Sequence, residues 1–577
     1  MPSPAGPNAS DISIQETLAI LDGPFASLST AVAQGGYAFW LGSGISRARV
    51  DDLKHVITRV LTHLRDRIDP SDPECPFSRA IVEALEWAAL SKTDRDSIDF
   101  SVPVVDWPVL ATVLGNLTNR YAELLDVRVT GRSEDYLLWE GVNVVTTFAL
   151  AVADPDCEHL CIAILALEGV LPAVATANWD GLIEAAVDQL TGSGSMLQVC
   201  VAKEDFRNLS ARSQLLKFHG CAVLAGRNEA AYRHLLIARA SQIIGWPHND
   251  DYEEMRARLV SLATNRPTLM IGLSAQDSNI QHVFAEARKR LSWPCTSDPP
   301  AHVFAEDALG QHQRQLLKSA YGGSDYAANG TAIETRALLR AYAKPLLTGL
   351  VLLVLCHKLC RFAAIADAPH FTTNDHNELA TGIRALRDRV ASGADGDRLV
   401  FIRSLIQFAT RWLALFQEGV VFTAVTQHYR ALGSLPTHLI ETDPTLPTSG
   451  VRELAAALGI LGLGLVSASW TIGAGDCGSL TAAPLRVTSV MGTMRVFFVA
   501  NSRAAARLES EGVIQSTDSD AIIVHSASPV RMTKRSPRSI LGRTGRAGAR
   551  EVDMTTLLHE SPNAAELQLR FRQEAVL

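Results

Sequence analysis

Apolar and polar positions divide the chain into two kinds of territory. Between about residues 15 and 306, short apolar runs alternate with longer segments of helical period. "YAFWL", "PAVATAN", "LQVCV", "LLKFH", "TLMIGL" and "HVFAE" read as strands, several of them followed at once by small or polar loops and then helices. That alternation predicts an α/β domain built on a parallel sheet. From about 60 to 170 the pattern turns mostly helical, with "ALEWAALSK", "VLATVLGNLTNRYAELL" and "EHLCIAILALEGVL", which predicts a helical insertion. The first domain is therefore expected at 15–320, as a Rossmann-like parallel sheet, behind a polar, proline-rich and disordered stretch at 1–14.

Beyond it, "YGGSDYAANGT" (321–331) has the composition of a linker. Helical patterns follow at 332–366, 377–392 and 398–433, so 332–476 is expected to be mainly helical. "TMRVFFVAN" and "DAIIVHS" read as strands around a helix, "SRAAARLESEG", which places a small α/β module at 477–577. Two apolar stretches raise the question of a membrane. The first, 346–356, is too short to span one and reads as a buried helix. The second, 454–475, is long enough, but it carries Gly459, Gly462, Gly464, Gly473 and Gly475 and no basic cluster at one side. It is expected to be a buried helix with a glycine-rich end, a membrane span being the alternative.

Composition narrows the class. The chain has 577 residues, 47% of them hydrophobic, and a net charge of −8, so nothing global points to nucleic acid or to an anionic membrane surface. The N-terminus lacks the basic and apolar regions of a secretory signal. Nine scattered cysteines, an odd count without framework spacing, fit a reducing cytosol, and a cytoplasmic location is expected. "CEHLC" and "CHKLC" each place two thiols on one helix face. They read as buried packing thiols rather than as metal ligands.

Four motifs carry candidate chemistry. "GSGIS" (Gly42, Ser43, Gly44, Ile45, Ser46) follows a strand and opens toward a helix, as an anion-binding loop does. The standard dinucleotide fingerprint wants a third glycine where Arg47 stands, so that match fails. "TANWD" puts Thr176, Asn178 and Asp180 at a strand's carboxyl end, where ligands of open α/β sheets lie. Helix capping by Asn178 or Asp180 explains it equally well. "KFHGC" ends a strand in His219, placed to titrate near neutrality. "GLSAQDSN" brings Gly272, Ser274 and Asp277 to the end of another strand, again compatible with a simple helix start.

Taken in order, the four resemble the sirtuin family over about residues 34–305, and most of all the sirtuin-like domains of bacterial antiphage defence. The resemblance implies an NAD site. Gly42, Ser43, Gly44 and Ser46 would hold the diphosphate. Asn178 would hold the nicotinamide ribose and the reactive water, Asp180 would support that ribose or its loop, and His219 would be the general base. Gly272 and Ser274, with Asp277, would face the adenosine half. Thr176 belongs to the same motif. Deacylating sirtuins carry a zinc ribbon of two CxxC pairs after the histidine. Between His219 and Gly272 this chain has only Cys221, so no zinc is expected and protein deacylation is in doubt.

The chemistry of NAD hydrolysis fits the inventory. The nicotinamide leaves as a neutral molecule from an oxocarbenium-like state, so a positioned water, a base and a dry pocket suffice. The expected function is an NAD glycohydrolase effector of antiphage defence. A deacylase and a non-catalytic NAD or ADP-ribose sensor are the alternatives. Family analogy suggests a homo-oligomer docking a HerA-type ATPase, or else a short Argonaute partner or a phage protein as direct trigger. "GRTGRAG" looks like a helicase arginine motif, but no GxxxxGK[ST] loop accompanies it. The basic segment 531–550 reads as a solvated loop or as a docking segment for nucleic acid or an acidic partner.

Overall fold

The computed structural model describes residues 8–150, 154–192, 196–207, 213–420, 428–475, 482–515, 517–526 and 549–577. The first sheet has seven parallel strands. These are β1 (Ala38–Leu41), β2 (Ala173–Thr176), β3 (Leu197–Cys200), β4 (Ser213–Lys217), β5 (Thr268–Ile271), β6 (His302–Ala305) and β7 (Leu338–Leu339). Their order is β3-β4-β2-β1-β5-β6-β7. Each of the six apolar runs read as strands contributes one, and β7 was not foreseen.

The strands are mostly apolar because both faces are covered. Alternate residues serve opposite cores: Phe39 and Leu41 pack into one, Ala38 and Trp40 into the other, and Leu269 and Ile271 oppose Met270 in the same way. The helices between β1 and β2 divide accordingly. Those from Leu53–Arg65 to Tyr121–Leu125 cover the Trp40 face, whereas Cys157–Leu167 covers the Phe39 face.

Three boundaries differ from the sequence-based expectation. Residues 8–14 are ordered rather than disordered. Ala9 and Ile12 are buried, the Ala9 amide donates to Asp307 at 3.2 Å, and Ser13 caps the helix Ile14–Asp22. Apolar side chains within a polar stretch had somewhere to go. The stretch 321–331 is not a linker but mostly helix, Gly323–Ala337. Its glycines and serine suggested a loop, yet burial of Ile333 and Ala337 holds the helix, since packing outweighs intrinsic propensity. Nor is the helical region a separate layer. Ala343–Ala364 packs on Cys157–Leu167 and Ile14–Asp22 and completes the Phe39 core.

Ala343–Ala364 and Arg398–Glu418 are long and apolar enough to cross a membrane by length and composition. The first, most of whose apolar stretch is buried in the protein, is a core helix. The stretch 454–475 is not one helix. Val451–Val466 ends before Trp470, whose indole N–H bonds the Leu461 carbonyl at 2.9 Å, and a strand follows. Its glycines serve a close crossing, where Gly459 and Gly462 meet Gly382 of the helix Thr373–Ala391 backbone to backbone.

The second sheet contains β8 (Thr471–Ala474), β9 (Leu485–Ser489), β10 (Gly492–Val499), β11 (Ala521–His525) and β12 (Arg550–Asp553). The order is β12-β11-β10-β9-β8. β10, β11 and β12 are parallel, while β8, β9 and β10 pair antiparallel. Residues 531–548 of the basic segment, including "GRTGRAG", and Cys477 lie outside the described residues.

Candidate active site

Register brings the motifs together. Leu41 stands opposite Thr176 and Ile271, Thr176 opposite Lys217, and Ile271 opposite Ala305. Five neighbouring strands therefore end at one level, and the next residues (Gly42, Ala177, Phe218, Gly272 and Glu306) leave the sheet side by side. The strand order reverses at β1, with β2 on one side and β5 on the other. That makes the gap between the loops after β1 and β5 the switch point, where α/β sheets bind ligands.

Glycines close this switch point. The Gly44 amide donates to the Gly272 carbonyl at 3.1 Å. A Cβ on Gly44 would lie 2.6 Å from the Gly272 Cα, and one on Gly272 would lie 2.8 Å from the Gly44 Cα. Gly272 also has φ +62, which only glycine adopts at little cost. The glycines thus let two loops touch, a role beyond the expected approach to a diphosphate. Ser43 and Ser274 are exposed at the rim, while Ser46 is fully buried.

Ser46 lies at the centre of a polar chain. The Asn178 Nδ2 donates to its Oγ at 3.2 Å, and the His159 Nε2 lies 3.1 Å from the same oxygen. The Asp156 amide donates to the His159 Nδ1 at 3.2 Å. That nitrogen is therefore an acceptor, and the Nε2 proton points at Ser46. Burial pushes the His159 pKa down to about 4, so the ring is neutral. The Asn178 amide N–H donates to the Thr176 Oγ1 at 3.1 Å. The remaining atom, Asn178 Oδ1, is buried and has no hydrogen-bond partner. Native proteins rarely leave such an acceptor unmade without a ligand or water to meet it.

Trp179 joins the second and third motifs. Its indole N–H donates to the His219 carbonyl at 3.0 Å, and its own carbonyl accepts the Ala222 amide at 2.9 Å. His219 is buried, and burial lowers its pKa, leaving the imidazole neutral. Asn279 lies 2.9 Å from the ring Nε2. The Asp180 carboxylate accepts the Leu182 amide at 3.1 Å at the helix start. The Asp180 carbonyl meets Lys217, whose ammonium also bonds Glu184 at 2.8 Å. Burial opposes the Lys217 charge most strongly, but Glu184, Cys221 and Asp180 together hold the pKa above its ordinary value. Asp277 stands at the start of Ser278–Arg290 without capping it, and instead accepts the Tyr121 hydroxyl at 2.9 Å.

Ser46, Thr176, Asn178 and His219, with the three glycines, are thus assembled at the sheet end. Asp180 and Asp277 brace the loops. His159, Asn279 and Glu306 are new. Glu306 follows β6, its pKa raised by burial, with Gln313 donating to it at 3.3 Å. Its position at the tip of "HVFAE" was a usable signal, whereas the other two had none in the chain. Among the described residues no group of three or more His, Cys, Asp or Glu side chains could hold a metal ion. Cys157 and Cys161 are buried with sulfurs 4.0 Å apart.

An open parallel sheet with polar loops at its switch point is the architecture of a nucleotide-binding α/β domain. A model of the SIR2-like domain family matches residues 172–323. This match supports the sirtuin-like reading and an NAD-utilising enzyme, since the SIR2-like family uses NAD as substrate. No curated protein matches the chain. The matched residues begin at β2, so β1 and the Gly42–Ser46 loop lie outside them, yet β1 pairs with both β2 and β5 at the centre of the sheet.

Proposed function

We propose that this protein is an NAD+ glycohydrolase that cleaves the nicotinamide–ribose bond, acting as the effector of a bacterial antiphage defence system. The observation that carries the reading is the orphaned Asn178 Oδ1, buried beside Ser46 at the switch point of a SIR2-like sheet. An acceptor there suits a ribose hydroxyl or the attacking water. Oriented by its other amide atom, it would hold that oxygen against the anomeric carbon. His219, one indole away, is the second group placed to touch the reacting sugar. The enclosing Phe148–Trp179 edge contact, with centroids 5.3 Å apart, fits a site that excludes bulk water. The chain has no pair of CxxC motifs after His219, which favours hydrolysis over deacylation. The resemblance to defence sirtuins supports an oligomer controlled by a partner such as a HerA-type ATPase.

The test uses purified full-length protein, alone and with the product of a neighbouring ATPase gene. NAD+ consumption and nicotinamide release are followed with and without an acylated lysine peptide. Hydrolysis without peptide is expected, with Asn178→Ala slower by about 10²-fold or more. Turnover only with the peptide would establish deacylation instead. Full activity of the variant would remove Asn178 from the reaction.

A further inference from the structure

The loops at 177–181 and 218–223 leave neighbouring strands, since β2 pairs with β4. Two hydrogen bonds cross between them at Trp179, and they run in opposite senses. The Trp179 carbonyl accepts the Ala222 amide at 2.9 Å, and its indole N–H donates to the His219 carbonyl at 3.0 Å. An indole nitrogen only donates and a carbonyl only accepts, so neither bond depends on a tautomer or on the end of an amide. A slide of one loop along the other would break both. Two further contacts close the seam. The Asp180 carbonyl accepts the Lys217 ammonium, and a Cβ on Gly181 would lie 2.7 Å from the Val223 Cγ2.

The indole bond is added to a turn that is already held. The His219 carbonyl also accepts the Ile237 amide at 3.0 Å, and Gly220, with φ +90, donates its amide to the Lys217 carbonyl at 3.0 Å. Without the indole N–H the His219 carbonyl would keep one partner, so no buried acceptor would be stranded. What the indole adds is a cross-brace. It ties the residue next to Asn178 to the residue that carries the imidazole, across 40 positions of the chain. Phe148, 6% exposed on Thr146–Leu150 of the helical insertion, makes a second contact on the indole, edge-on with centroids 5.3 Å apart.

We propose that Trp179 is a positioning residue, whose indole N–H fixes Asn178 and His219 relative to one another and so places the two groups that act on the nicotinamide ribose. The N–H, rather than the bulk of the ring, is the operative group. Among the described residues Trp179 makes no hydrogen bond to the loops after β1 and β5, so binding of the rest of NAD+ is expected to stand apart from the brace. The catalytic part rests on the NAD+ reading, whereas the brace does not, and two experiments separate them.

Both use full-length protein and the variant Trp179→Phe, which keeps an aromatic ring and removes the N–H. Trp293→Phe is the matched control. The Trp293 indole also donates to a carbonyl, that of Ala263 at 3.2 Å, which precedes the start of β5 rather than its tip. The first experiment is hydrogen exchange without NAD+, read by mass spectrometry. Trp179→Phe is expected to speed exchange across 218–223 by about two- to tenfold, the range of one lost hydrogen bond, and Trp293→Phe to leave that segment as in the wild type. An unchanged segment in Trp179→Phe would overturn the brace. The second is NAD+ hydrolysis. The kcat of Trp179→Phe is expected to fall about 10–10²-fold with KM little changed, the mark of lost placement rather than lost binding, while Trp293→Phe keeps the wild-type kcat. Ala222→Pro removes the opposite bond from the other loop, at the first position of a helix that follows an extended Cys221, where proline is tolerated. It should lower kcat in the same way, and it keeps the question decidable if Trp179→Phe does not fold. A wild-type kcat in the folded variants, a loss confined to KM, or equal losses in Trp179→Phe and Trp293→Phe would overturn the positioning role. A wild type that hydrolyses no NAD+ under any condition would overturn the functional reading and the catalytic part with it, the brace being decided by exchange alone.

Discussion

His219 and His525 both stand at the tips of parallel strands, one after β4 and the other ending β11, and their surroundings differ in kind. Around His219 the polar groups are arranged. Asn279 meets the ring, Trp179 holds the carbonyl, and across that indole an orphaned Asn178 oxygen waits beside Ser46. Around His525 they are merely enclosed. Both ring nitrogens lack a hydrogen bond, and the nearest carboxylate oxygen, on Glu551, is 3.8 Å away. The next residue, Ser526, is fully buried, and a Cβ on Gly450 would sit 3.1 Å from its own Cβ. The helix Arg398–Glu418 closes the same end through Phe416, whose carbonyl accepts the Ala500 amide at 2.8 Å. Parallel strand tips are thus a place for a ligand only where packing leaves them unfilled. At the first sheet's switch point the buried polar groups converge on an acceptor left unmade, whereas in the second the helices close the strand tips.

Acid is expected to separate the two regions most strongly. Burial holds His63 and His159 at about 4 and His302 at about 3, against 6.5 for a free imidazole. All three belong to the first sheet and its helices. They stay neutral in the fold while the unfolded chain takes up protons below about 6.5. Their stabilising effect is complete above that pH and is lost as pH falls toward 4, at about 1.4 kcal/mol per unit for each group. Glu158, pushed up to about 7 by burial, works in the opposite sense between 7 and 4.5, as does Glu306, also raised by burial, against the three histidines and His219, which burial lowers too. The melting temperature should fall between pH 7 and 5, and hydrogen exchange should show β1 to β6 losing protection before β10 to β12. The reverse order would mean that the first sheet's histidines find charge partners in the fold.

The next effect concerns the seam between the regions. Lys358 and Glu168 are both fully buried with N–O 2.6 Å, and Glu168 also accepts the Tyr429 hydroxyl at 2.7 Å and the Leu432 amide at 2.9 Å. Lys358→Met strands a buried carboxylate and should cost about 3–5 kcal/mol. Urea unfolding should then split into two transitions. A single unshifted transition would show that the regions are held together by their apolar contacts alone.

Smaller effects probe the loops. Gly272→Ala combines a left-handed φ with the 2.8 Å approach to Gly44, and about 1–3 kcal/mol is expected with loss of NAD+ binding by calorimetry. Gly473→Ala, in β8 with nothing near its Cβ direction, should change stability by less than about 0.5 kcal/mol. Equal effects would deny the loop contact its importance. The smallest change is expected from His525→Gln, which should leave NAD+ consumption as it is. A loss there would make the second sheet part of the reaction.

Much of the site was legible in the chain because its signals are local. A strand that ends in glycines, or in Thr-x-Asn, announces itself within five residues. The partners of those motifs do not. His159 reaches Ser46 across 113 residues, and Asn279 reaches His219 across 60. His159 lies in "CEHLC", a stretch whose cysteines read as packing thiols, and nothing in that helix says what its imidazole will meet. The linker at 321–331 failed for a related reason, since composition reports propensity while burial of Ile333 and Ala337 is a tertiary fact.

The sequence by itself determined the strands of the first sheet and the order of its motifs, because apolar runs and strand-end loops are written within single short segments. Only the tertiary structure decided that β1 stands between β2 and β5, that Ala343–Ala364 completes the first core, and that Asn279 rather than solvent meets the His219 ring. Those outcomes depend on which distant surfaces bury one another.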